Sequence, residues 1–65
     1  IQLTQRELAV LQLIRQGFLS KEIAGKLGIS IHTVHIHRQN LLHKLGVQNA
    51  IEAINRAQQL GLLPH

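Results

Sequence analysis

The 65-residue chain has no cysteine, methionine, tryptophan or tyrosine, one phenylalanine, one proline and three acidic residues. Several of these scarcities exclude a class. Without cysteine there is neither a disulfide framework nor a thiolate zinc site to brace so short a chain. No apolar run exceeds four residues, the stretch Leu60–Leu63 around Gly61 being typical, which is far below a membrane span or the apolar core of a signal peptide. Neither a membrane partner nor secretion is expected. No segment alternates apolar and polar residues as a strand would, and there is no internal repeat, low-complexity tract or linker. Sixty-five residues make one domain at most and bury only about 60% of the surface that the unfolded chain exposes. The core must then be well-packed helix or be supported by a partner. Seven Lys+Arg against three Asp+Glu leave a net charge of +4, yet only 15% of residues are charged. That excess permits an anionic partner without requiring one. The first residue is Ile1 instead of methionine, which points to an excerpt of a longer protein.

What is present is a succession of helix starts and stops. Thr4 followed by Glu7 is a capping box, flanked by Leu3 and Leu8 as a hydrophobic staple would be. Leu8, Val10, Leu11 and Ile14 then share one face, and Gly17 supplies a left-handed stop, giving a first helix over roughly 5–16. Ser20 is placed to cap a second helix over 20–27, with Glu22 near its positive end and Gly28 behind its last turn. Ser30 caps a third helix over 31–45, ended by Gly46. Asn49 with Glu52 opens a fourth over 50–60, followed by Gly61. The expected fold is all-α, a compact four-helix bundle filling residues 1–65 as a single domain.

On the third helix, at about 100° per residue, Ile31, Val34, Leu41, Leu42 and Leu45 fall on one arc that should face the core. The opposite side carries His32, Thr33, Ile36, Gln39, Asn40, His43 and Lys44, with His35 and His37 at its edges. A short helix, a three-residue turn and a longer helix with a polar face have the spacing of a helix-turn-helix, here over 20–39. Counted from Ser20, the crowded fifth, ninth and fifteenth positions hold Ala24, Gly28 and Val34. The first lets the helices approach, the second can take the positive φ of the turn, and the third packs beneath both. The plainer alternative is a helical hairpin that only fills a small bundle.

The stretches Leu3-Thr4-Gln5-Arg6-Glu7-Leu8, Lys21-Glu22-Ile23-Ala24, Thr33-Val34-His35-Ile36-His37-Arg38-Gln39-Asn40-Leu41, Lys44-Leu45-Gly46-Val47 and Glu52-Ala53 together resemble the LuxR/NarL/GerE-type DNA-binding domain. The resemblance spans nearly the whole chain in order and spacing, and the Thr-Val-x-x-His-Arg-x-Asn form is most similar to response regulators. It implies the C-terminal output domain of a bacterial transcription regulator of a two-component system, acting in the cytoplasm under an N-terminal receiver or sensor domain. It also implies double-stranded DNA as partner, with RNA polymerase a further candidate.

On that resemblance, the recognition helix enters the major groove with His35, Ile36 and Gln39 as base-reading residues. Gln39 can pair bidentately with adenine, Ile36 can pack on a thymine methyl and His35 can donate to a purine N7. Lys21, Ser30, His32, Thr33, Asn40 and Lys44 are the expected contacts to the DNA backbone. Arg38 falls inside the apolar arc and is expected to snorkel or to pair with Glu7 or Glu22. Family members often carry Lys or Arg at the positions of His35 and Gln39, and Arg where this chain has Ala50, so a modest salt dependence is expected.

The fourth helix has an apolar side wider than one core contact needs. Ala53, Ile54 and Ala57 are therefore the expected homodimer interface, which would pair two recognition helices on an inverted repeat. No metal or other cofactor is expected. His32 and His35 lie one turn apart, but His43 is roughly 12 Å along the axis from His35 and no cysteine or neighbouring carboxylate completes a site. Catalysis is not expected either, for want of a nucleophile with its base, a phosphate-cradling glycine loop or paired acids. Two other binding modules remain. A sigma-factor promoter module disagrees with the Lys44–Val47 run and the fourth helix, and a helical protein-interaction module leaves the polar face of the third helix without a role.

Overall fold

A computed structural model describes residues 2–65. Four helices follow one another, α1 (Gln5–Arg15), α2 (Ser20–Leu27), α3 (Ile31–Leu45) and α4 (Ala50–Gln59). Among the described residues there is no strand. Gln16 and Leu60, expected as last helical residues, are instead the C-caps of α1 and α4.

Helix starts rest on local side-chain bonds. Thr4 Oγ1 accepts from the Glu7 N–H at 3.0 Å while Glu7 Oε1 accepts from the Thr4 N–H at 2.9 Å, so both halves of the capping box are made. Ser30 Oγ accepts from the Thr33 N–H at 3.0 Å, and Asn49 Oδ1 from the Glu52 N–H at 2.9 Å. The start of α2 differs from expectation, because Leu19 is the N-cap and Ser20 is already helical. The reason lies three residues on. A box opened by Ser20 would need an acid at 23, where fully buried Ile23 sits, whereas Glu22 is spaced to receive the Leu19 N–H, at 2.8 Å.

All four helices end in the same closure. In each, the second residue after the last full turn donates back across six residues: Phe18 to Leu13, Ile29 to Ala24, Val47 to Leu42 and Leu62 to Ala57. These are the hydrogen bonds of the Schellman motif. The donating residue is hydrophobic every time and is packed, half-buried, against the core. Gly28 is where backbone freedom matters most. Its φ of 67° and ψ of 34° make the tight turn of the helix-turn-helix, a conformation costing an ordinary residue roughly 1–2 kcal/mol.

Val10, Leu11, Ile23 and Val34 are fully buried, with Leu41 and Leu45 nearly so. Helix α3 runs through the middle of the assembly and packs on α1, α2 and α4, whereas α2 and α4 do not touch. The Cα radius of gyration of 10.7 Å equals the value of about 10.7 Å for a closed domain of this length. Two expectations about packing are corrected. Ile31 is 47% exposed, since at the first helical position it lies between exposed Ser30 and His32. Ala53 and Ala57 have no exposed surface, because α4 turns its small residues inward against α1 and α3. They are core residues of one copy and have nothing left to offer a second.

Candidate nucleic-acid interface

The exposed face of α3 is built by default. Once Val34, Leu41 and Leu45 are buried, a rotation of about 100° per residue turns His32, His35, Ile36, Gln39 and His43 toward the far side. All five are exposed. Among the described residues none of their side chains bonds to another protein group. Ile36, 42% exposed, sits amid the polar groups. The three residues expected to touch base edges, His35, Ile36 and Gln39, are thus brought together on one surface.

The residues expected at the DNA backbone fare differently from one another. Lys21, His32 and Asn40 are exposed and without partners among the described side chains. Ser30 and Thr33 share a hydroxyl–hydroxyl hydrogen bond of 2.9 Å in addition to the cap. The Ser30 hydroxyl thus makes two local bonds and the Thr33 hydroxyl one, and a hydroxyl can take part in three.

Lys44 is held. Its Nζ lies 2.8 Å from Glu7 Oε1, the one ion pair among the described residues. Glu7 is only 3% exposed. Burial on its own pushes that carboxyl up, but the Lys44 hydrogen bond, the Thr4 N–H, the Lys44 charge and the Thr4 hydroxyl together outweigh it and hold Glu7 below the ordinary carboxylate range. The pair joins the start of α1 to the end of α3 across 37 residues of sequence. Spacing carried the signal for it. Glu7 lies three, four and seven residues before Val10, Leu11 and Ile14, and so on the inward stripe of α1.

Arg38 does not make either of its expected pairs. Glu7 is taken by Lys44, and Glu22 receives the Leu19 N–H. Arg38 instead lines a cleft of about 370 Å³ with Ser20, His35, Gln39 and Leu42. Elsewhere, Lys26 Nζ stands 4.4 Å from the centre of the Phe18 ring, a cation–π contact at the foot of α2. Among the described residues no cluster of side chains could hold a metal ion, and no helix is long and apolar enough to cross a membrane.

Residues 1–57 match the family described as bacterial regulatory proteins, luxR family. The chain belongs to this family. The luxR-family domain is 54% identical over 54 residues to the transcriptional regulatory protein UhpA of Salmonella typhimurium, covering 83% of this chain and 28% of UhpA. It is 48% identical over 58 residues to the HTH-type transcriptional regulator MalT of Serratia proteamaculans, covering 89% of this chain and 6% of MalT. The chain therefore spans under a third of the length of these relatives. Two solved structures superpose closely. The response regulator ChrA of a heme-sensing two component system gives a TM-score of 0.91 at 40% identity, covering 97% of this chain and 31% of ChrA. The transcription factor GerE gives 0.87 at 39% identity, covering 91% of this chain and 88% of GerE. This luxR-family chain is a DNA-binding helix-turn-helix domain of transcription regulators and belongs to no enzyme class.

Proposed function

We propose that this domain reads double-stranded DNA by laying α3 in the major groove, as the output module of a regulator controlled by a domain outside this chain. The observation that carries the reading is the outer face of α3. His35, Ile36 and Gln39 are exposed there with no protein partner among the described residues, on the second helix of a helix-turn-helix whose other side is closed core. Gln39 pairs bidentately with adenine, Ile36 packs on a thymine methyl and His35 donates to a purine N7. Lys21, His32 and Asn40, with the remaining hydrogen-bonding capacity of Ser30 and Thr33, set the register on the backbone.

A homodimer formed through α4 would place two such helices on an inverted repeat. With Ala53 and Ala57 internal, that pairing falls to Ile51, 74% exposed, and half-buried Ile54. A receiver of a two-component system as the controlling domain is supported by the response regulator ChrA, to which the chain is similar, and RNA polymerase as a second partner and the cytoplasm as the compartment accompany the reading.

A binding selection from random duplex DNA at two salt concentrations tests the proposal. An enriched motif that survives the higher salt is expected. Binding that is lost equally for every sequence overturns base reading by α3.

A further inference from the structure

The domain has three acidic side chains and seven basic ones, and every carboxylate has a local task. Glu7 holds the Thr4 N–H and Lys44, Glu22 holds the Leu19 N–H at 2.8 Å, and Glu52 holds the Gln48 N–H at 3.1 Å. None of these carboxylates is directed at Arg38, which makes no ion pair among the described residues. Its position is also particular. Arg38 is half-buried in the cleft between Ser20 at the start of α2 and His35, Gln39 and Leu42 on α3. Two of those neighbours are proposed base-reading residues, so the guanidinium stands at the edge of the reading face. A guanidinium without an anion among the described residues, beside such a face, suits bidentate capture of a phosphate.

Resting on the DNA reading above, we propose that Arg38 is the cation by which α3 holds a backbone phosphate, in the cleft between α2 and α3, and that Lys44 does not serve this purpose. Glu7 neutralises Lys44, and drawing its ammonium onto DNA would strip a buried carboxylate of its partner. The two basic side chains of α3 thus divide into one that closes the fold and one that clamps the ligand. The contact is to a phosphate and carries no base preference.

The test is the slope of log Kd against log salt concentration for this chain on a mixed-sequence duplex. The variants are Arg38→Met, Arg38→Gln, Arg38→Lys and Lys44→Gln, the last keeping a donor for Glu7. Helical circular dichroism of each variant reports folding. Loss of one phosphate contact lowers the slope by about 0.9. Both neutral Arg38 variants should show that drop, with binding about tenfold weaker on every duplex alike, while Arg38→Lys and Lys44→Gln keep the wild-type slope. An unchanged slope in the folded neutral variants, or a drop in Arg38→Lys equal to theirs, overturns the assignment. So does a drop of the same size in Lys44→Gln. Failure of the underlying DNA reading looks different, because the wild-type chain itself would then show no salt-dependent binding.

Discussion

Arg38 and Lys44 lie on the same helix, yet the seams they occupy are unlike. On the α1 side of α3, Lys44 is drawn onto a buried carboxylate that is also part of a helix cap, so charge, hydrogen bonds and packing converge on one point. On the α2 side, Arg38 lines an open cleft with no anion of its own. The first seam is complete within the chain. The second has exposed polar groups without hydrogen-bond partners among the described residues, and it lies beside the face that carries Ile36 and Gln39. In a domain with so few carboxylates, where each is placed decides which cations remain for a ligand.

The closed seam should be the more sensitive to truncation. Leu11→Ala empties a fully buried site on α1 and is expected to cost about 2–5 kcal/mol, measured by urea unfolding. In a domain this small that approaches the whole stability. On the open side Gln39→Ala should leave the urea midpoint nearly unchanged and reduce discrimination at one base pair by about 1–3 kcal/mol, read by repeating the binding selection with the variant.

Glu7→Gln probes the seam without emptying it. Losing the charge from a buried, multiply bonded carboxylate should cost about 1–2 kcal/mol near neutral pH. Because the folded state lowers the Glu7 pKa, its contribution is present in full above the ordinary carboxylate range and is lost as pH falls through the lowered value. Wild type should therefore lose stability on acidification more steeply than Glu7→Gln, and pH-dependent urea melts would show it.

Two glycines at the foot of α2 give the smallest effects, with opposite signs. A methyl group at either position would meet nothing within 4 Å, so only the backbone decides. Gly28→Ala should destabilise by about 1 kcal/mol because φ is 67°. Gly25→Ala, inside the helix, should stabilise by about 0.5–1 kcal/mol. Thermal unfolding of both variants checks the pair.

Much of this architecture is legible in the sequence because its signals are local. Thr4 with Glu7 and Asn49 with Glu52 announce helix starts through contacts three residues apart, and each helix stop is a glycine followed by a hydrophobic residue. Legibility fails where a decision depends on what lies across the core. Ser20 looks like a cap until buried Ile23 denies it the partner that Glu22 gives Leu19. Ala53 and Ala57 look like spare apolar surface until α1 and α3 cover them. Leu63, 3% exposed, is drawn into the core only because the closure of α4 folds the chain back. The Glu7–Lys44 pair needs α1 and α3 placed side by side. At the reading face, sequence places His35, Ile36 and Gln39 together through helical periodicity alone, whereas the release of Arg38 follows from where Glu7 and Glu22 direct their oxygens.

The most direct measurement is a titration of the domain with duplex DNA followed by NMR chemical shifts. The account predicts that shifts concentrate on His32, His35, Ile36, Gln39 and Asn40 of α3 and on Ser20, Lys21 and the Arg38 side chain, with the Lys44 side chain and Glu7 little changed. Shifts centred on α1 or α4, with the outer face of α3 silent, would contradict it.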